Sequence, residues 1–294
     1  MNITFLIGNG FDIGMGMRSA FRDFFPIYQV KSIDKVSRIR RLSQEIGADY
    51  ETWADFESAL GKYTLNFTPE TKQDFIDQLK DFEKDFIDYL KGQKEMLSFD
   101  TFKSISDMMV DALIGYYNNG NLAYESKLAI SRIYSQHAAE NHVYNFVNFN
   151  YTDVLEQCLA TIPQQIVCKR KYNGVERIDK LGRTVHIHGT CDFQPIIGVN
   201  DISQIANQEL AKDSRFTSFI VKPSLNQLMR LGNDGATQTL INQSAIICIY
   251  GMSLGSTDRN GGVIYCHGFI LTENDSWLFL IMTNNIPLQI NLIG

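Results

Sequence analysis

The stretch "FLIGNGFDIGMG" (residues 5–16) runs an apolar strand straight into four glycines, Gly8, Gly10, Gly14 and Gly16, with Asn9 and Asp12 set among them. A strand that ends in a glycine turn and then enters a helical pattern is the entry unit of an α/β sheet. Such a turn can offer backbone N–H groups to a pyrophosphate at a helix N-terminus, because glycine lacks the Cβ that blocks close approach. The spacing is not GxGxxG, however, and Asp12 puts negative charge where a phosphate would lie. Taken alone, the turn reads first as a chain reversal or helix cap.

Working outward, the chain from Phe11 to about Gln136 carries apolar residues at three-and-four spacing and reads as a helical block. "WADFESALGKYTL" (53–65) places Trp53, Phe56, Leu60 and Tyr63 on one face, which suits core packing. "DFIDQLKDFEKDFIDYLKGQ" (74–93) repeats the pattern with Phe75, Leu79, Phe82, Phe86 and Leu90. From His142 the texture turns β-branched and aromatic: "HVYNFVNFN" (142–150), "QIVCKRKY" (165–172), "RTVHIHG" (183–189) and "PIIGVN" (195–200) read as strands. A helical stretch over about 202–231 precedes "AIICIYG" (245–251), a continuous apolar run that suits a central parallel strand covered on both faces. The order predicts an α/β fold with a Rossmann-like, mostly parallel sheet and a large helical insertion after the first strand. Residues 1–11 and 140–294 would form the α/β nucleotide-binding domain, and 12–139 the helical insertion.

With 44% apolar residues among 294, the chain can bury a substantial core. Its 33 acidic and 27 basic residues give a net charge of −6, which opposes loose binding to nucleic acid or anionic lipid. The basic run "KVSRIRR" (35–41) reads as a solvated helix face. Five cysteines, Cys158, Cys168, Cys191, Cys248 and Cys266, show no CxxC spacing, so neither a disulfide framework nor a zinc site is expected. No window approaches the roughly 18 to 20 consecutive apolar residues of a membrane span. The expectation is a soluble, cytoplasmic protein.

In an open parallel sheet, ligands bind outside the carboxyl ends of the strands, so the residues just after each strand carry the chemistry. Four places qualify: Gly8, Asn9, Gly10 and Asp12; Asn148 to Asp153; His186 to Thr190; and Gly251 to Asp258. Within "NFNYTD" (148–153), Asn148 and Asn150 share a strand face, and Thr152 and Asp153 suit a turn and a helix cap. In "HIHG" (186–189) a two-histidine metal pair is disfavoured, because no carboxylate or cysteine follows at ligand spacing. His188 beside Gly189 is a candidate general base. In "YGMSLGSTD" (250–258), Gly251, Ser253 and Asp258 suit hydroxyl or phosphate recognition as well as an ordinary connection.

Taken in order, "GNGFD", "WADFE", "FNYTD", "HIHG" and "GMSLGSTD" resemble the AbiH family of bacterial phage abortive-infection proteins, over residues 2 to about 260. The same order is distantly similar to the sirtuin-like NAD-binding superfamily. That resemblance implies a sirtuin-like sheet and NAD or a related nucleotide as ligand or substrate. It implies that Gly8 and Gly10 form the dinucleotide turn, Asn150 holds the ribose or an attacking water, and His188 is the catalytic histidine. It also implies that Gly251 and Ser253 form the distal ribose-phosphate loop. Asn9, Asp12, Thr152, Asp153, Gly189 and Asp258 complete the expected binding set, with no metal. Asp12 stands where sirtuins carry a serine, and Thr152 where their Asn-Tyr-Asp element has its acid. No four-cysteine zinc ribbon is present, which argues against lysine deacetylation.

The implied function is phage defence, with hydrolysis of NAD or a related nucleotide as the candidate activity. Alternatives are a non-catalytic nucleotide sensor signalling through the helical block, and a metal-dependent nuclease toxin using Asp12, Asp153 and Asp258. Expected partners are a small-molecule nucleotide, a phage trigger protein and a second copy of the chain, with neither membrane nor nucleic acid. One departure marks the carboxyl end, where AbiH-like sequences carry an aromatic stretch, often with paired tryptophans. Two TGG codons read from their second base give Gly-Gly, as at Gly261–Gly262. Residues 261–294 are therefore expected to be a frameshifted tail.

Overall fold

The computed structural model describes residues 1–97, 102–117 and 124–252, together with four short strands in the carboxyl-terminal stretch. In chain order the elements begin β1 (Asn2–Ile7), α1 (Gly10–Gly14), α2 (Phe21–Ser32), α3 (Ser37–Ala48), α4 (Phe56–Tyr63) and α5 (Lys72–Glu95). Next come α6 (Phe102–Gly115), α7 (Tyr124–Gln136), β2 (Val143–Asn148), α8 (Val154–Ala160), β3 (Ile166–Tyr172) and β4 (Val175–His186). The short helices α9 (Gln208–Ala211), α10 (Ser214–Ile220) and α11 (Lys222–Leu228) follow, then α12 (Asn233–Asn242) and β5 (Ile246–Tyr250). The last strands are β6 (Arg259–Asn260), β7 (Val263–Cys266), β8 (Phe269–Thr272) and β9 (Leu278–Met282).

Two compact units divide the chain: residues 1–17, 97–187 and 235–294 in the first, 18–96 and 188–234 in the second. In the first, six strands form a mixed sheet in the order β3-β4-β2-β1-β5-β9, and β6, β7 and β8 pair separately in an antiparallel sheet. β1 runs parallel to β2 on one side and β5 on the other, so its six residues are bonded along both edges. β4 is parallel to β2, and only β3 runs antiparallel. On one face Leu6, Val147, Ile247 and Ile249 join Leu240 and Ile241 of α12 in a single apolar cluster. On the other, Phe5 stacks on Phe146 with ring centroids 5.6 Å apart and meets Tyr116 edge-on at 5.5 Å. Burial on both faces explains why β5 reads as an unbroken apolar run rather than an alternating one.

The second unit is built round an aromatic core. Phe56 of α4 stacks on Phe82 of α5 at 4.6 Å, and Phe24 of α2 meets Phe82 edge-on at 5.4 Å. Such pairs add roughly 0.5–1.5 kcal/mol beyond their buried area. The "WADFE" motif is structural throughout: Trp53 packs on Phe56 and Tyr63, the Asp55 carboxylate caps α4 through Ser58 N–H, and Glu57 pairs with the buried Lys222 at 2.8 Å. The basic run 35–41 is an interhelix ladder rather than a free face. Lys35 lies 2.5 Å from both Asp81 and Asp85, and Arg38 lies 2.6 Å from Asp77.

The units are divided elsewhere than the sequence boundaries at 12 and 140. α6 and α7 belong with the sheet, where Tyr116 and Tyr134 pack beside Phe5 and His142. Residues 188–234 belong with the helices: Ala206 N–H donates to Gly61 O, and Asn207 Nδ2 donates to Phe67 O at 2.8 Å. "PIIGVN" forms no strand. Pro195 has no N–H to donate, and Val199 makes a single bridge to Val221.

Candidate functional site

The carboxyl ends of β2, β1 and β5 lie side by side, and the turns that follow them converge within the first unit. The glycine turn packs against the end of β5 with no room for side chains. A Cβ on Gly10 would fall 2.5 Å from Gly251 Cα, and one on Gly8 would fall 2.7 Å from Gly251 O. Gly8 N–H donates to Tyr250 O and Gly10 N–H to Gly251 O, both at 2.8 Å. These two N–H groups therefore do not face a phosphate as the sequence suggested. The glycines are needed because two strand-end turns touch backbone to backbone.

Asp12, on α1, is the centre of the arrangement. Its side chain is buried, accepting hydrogen bonds from Thr152 Oγ1 at 2.5 Å and Asn150 Nδ2 at 3.1 Å. Burial pushes its carboxyl up to about 6, and the Glu156 charge adds to that rise; the two hydrogen bonds and the His186 charge oppose it. Asn150 joins three turns: Nδ2 also donates to Gly8 O at 3.2 Å, its N–H donates to Asn148 Oδ1 at 3.0 Å, and its carbonyl oxygen lies 3.0 Å from His186 Nδ1. Asp153 accepts from Gln157 Nε2 at 3.1 Å within α8.

Sequence reasoning missed the pair of His186 and Glu156. His186 Nε2 lies 2.7 Å from Glu156 Oε1, at ion-pair distance though off the ideal hydrogen-bond line, and Asn148 Nδ2 donates to Glu156 Oε2 at 3.4 Å. Burial alone would lower the His186 pKa; the Glu156 carboxylate and the Asn150 carbonyl more than offset it, so the net shift is upward. The imidazolium is thus favoured, with Nδ1–H directed at Asn150 O. The signal available was Glu156 in the first turn of the helix after "NFNYTD". Glu156→Gln is expected to lower the His186 pKa, read from the pH dependence of its ring resonances by NMR. An unchanged midpoint would show that the carboxylate does not control the ring.

Of the remaining expected residues, Asn9 flanks the turn and Gly251 closes it from β5, with φ +69°. Ser253 and Asp258 lie outside the described residues. His188 and Gly189 belong to the second unit, where both are buried and the His188 carbonyl accepts the Ile196 N–H at 2.9 Å. β4 ends at His186, so the two histidines do not share one strand face. Among the described residues no group of three or more His, Cys, Asp or Glu side chains is placed to hold a metal ion. Cys158, Cys168 and Cys248 are free thiols, and burial pushes that of Cys158 up to about 11. No helix among the described residues is long and apolar enough to cross a membrane.

A family model described as bacteriophage abortive infection AbiH matches residues 4–261. No curated protein and no solved structure matches the chain.

Proposed function

The chain belongs to the bacteriophage abortive infection AbiH family, and from that premise we propose that it acts in phage defence by binding and hydrolysing NAD or a related nucleotide at the carboxyl ends of β2, β1 and β5. The observation that carries this reading is Asp12, a carboxylate kept buried beneath three converging turns although burial raises its pKa to about 6. A group held at a cost to the fold, in the position where open parallel sheets bind ligands, is a functional candidate.

In this mechanism Asp12 accepts a ribose hydroxyl, and Asn150 fixes the turn on which the ribose and the attacking water are ordered. The bond from the ribose C1′ to the base nitrogen breaks, and nicotinamide leaves with the bonding electrons. Water oxygen bonds to C1′, and the proton that the water loses passes to a general base, the role that the sequence resemblance gives to His188. A phage component as trigger, self-association and a cytoplasmic site of action belong to the same proposal. One observation favours a sensor instead: Asn150 and Thr152 already direct their side-chain donors at Asp12 and Gly8 O, a satisfied network suited to binding without turnover.

Incubation of the purified protein with NAD is expected to release nicotinamide, with the release lost in Asn150→Ala and His188→Ala. Tight nucleotide binding without release would identify the sensor; neither binding nor release would defeat both readings. The family match stops at residue 261, at the first of the two glycines that suggest a shifted frame. The coding DNA beyond codon 260 is accordingly expected to encode paired tryptophans and a family-like helix in another frame, and their absence from every frame would refute the shift.

A further inference from the structure

Resting on the nucleotide reading above, a second feature of the first unit names the part of the ligand that the polar cluster leaves unrecognised. α1 is a single turn, and the chain departs at residue 18 for the second unit, returning as α6. Beside α6, over the carboxyl halves of β1, β2 and β5, lies a cavity of about 400 Å³. Its lining includes Phe5 and Ile7 of β1, Phe146 of β2, Tyr250 of β5 and Phe11 of α1. Phe11 and Tyr250 meet edge to face, with centroids 6.3 Å apart. Among the lining residues Asp111 alone is charged, and with Ala112 it is exposed on α6, which places the two at the mouth.

We propose that this cavity seats a planar heteroaromatic ring carrying an exocyclic amino group, an adenine-type base. The volume falls in the range of small-molecule pockets, roughly 300–1,000 Å³. Five aromatic side chains, Tyr116 among them, offer π-faces and edges to a flat ring, a contact that tolerates any base. Asp111 supplies the discrimination: a carboxylate accepts from an amino group and repels both a keto oxygen and a phosphate. The charged portion of the ligand is thereby kept out of the cavity. The cavity also backs onto the polar cluster through the chain itself, since the lining residues Phe11 and Leu155 immediately precede Asp12 and Glu156.

The test uses the full chain and calorimetric titration with adenosine, with the same nucleoside lacking its amino group, and with ribose 5-phosphate. Ala112→Trp, at the exposed mouth, is expected to weaken adenosine at least about ten-fold. Asp111→Asn is expected to weaken adenosine several-fold and to erase the preference over the amino-free nucleoside. Both substitutions should leave ribose 5-phosphate affinity and the unfolding temperature unchanged, which separates a lost pocket from a lost fold. Adenosine binding that is indifferent to both substitutions overturns the cavity assignment, as does ribose 5-phosphate binding without any adenosine binding. If the wild-type protein binds none of the three compounds and no NAD, the nucleotide reading itself falls.

Discussion

Asp12→Asn is expected to make the protein more stable above pH 6 and to abolish nucleotide binding. The carboxyl of Asp12 titrates near 6 in the folded protein against a reference of 3.8, so the folded state holds its proton more tightly than the unfolded state. Stability therefore falls as pH rises from about 4 to 6, and above 6 the full penalty is present. A shift of about two units corresponds to at most about 3 kcal/mol, at 1.36 kcal/mol per unit. An amide is isosteric, carries no charge and can still pair with Asn150 and Thr152, so it escapes that penalty. Denaturant unfolding at pH 5 and pH 8 should show the variant gaining up to about 2–3 kcal/mol on the wild type at the higher pH and far less at the lower. A variant less stable than wild type at pH 8 would mean that the carboxylate holds the three turns together, and the case for Asp12 as a ligand group would be lost. Stability gained where activity disappears is the expected trade at a site held in a costly state.

Gly10→Ala is expected to cost about 3 kcal/mol or more, the second large effect. The added methyl would meet Gly251 Cα at 2.5 Å and Gly251 O at 3.0 Å, backbone atoms that cannot rotate away. Relief requires the turn to leave β5, which breaks the 2.8 Å bond from Gly10 N–H to Gly251 O and disturbs the Asp12 cluster two residues on. Gly92→Ala is the control. A Cβ at Gly92 meets nothing within 4 Å in α5, and alanine there should raise stability by about 0.5–1 kcal/mol. Comparable losses from both would show that the close approach of the two turns is not what requires glycine at position 10.

Much of the fold was legible in local pattern. The double-sided burial of β5 was written in its unbroken apolar run, and α5 in the spacing of Phe75, Leu79, Phe82, Phe86 and Leu90. "PIIGVN" misled because its β-branched content suited a strand, while its backbone pairs with the start of a helix. The unit boundaries were not legible, because Asn207 and Lys222 owe their place to partners more than a hundred residues earlier, Phe67 and Glu57. Local periodicity records which face of an element is buried, not which distant element buries it.

The candidate site divides in the same way. From sequence alone came the family motifs, the importance of strand ends, and the set Gly8, Gly10, Asp12, Asn150, Thr152 and Gly251, all of which the first unit brings together. Only tertiary structure decided what those residues do to one another. It spent the Gly8 and Gly10 N–H groups on the end of β5, and it joined His186 to Glu156. The physical reason is that a hydrogen bond or a desolvation penalty depends on which groups meet and how much water is left between them. A one-dimensional sequence lists the donors, acceptors and charges of this protein, and only the packed strand ends fix their pairing.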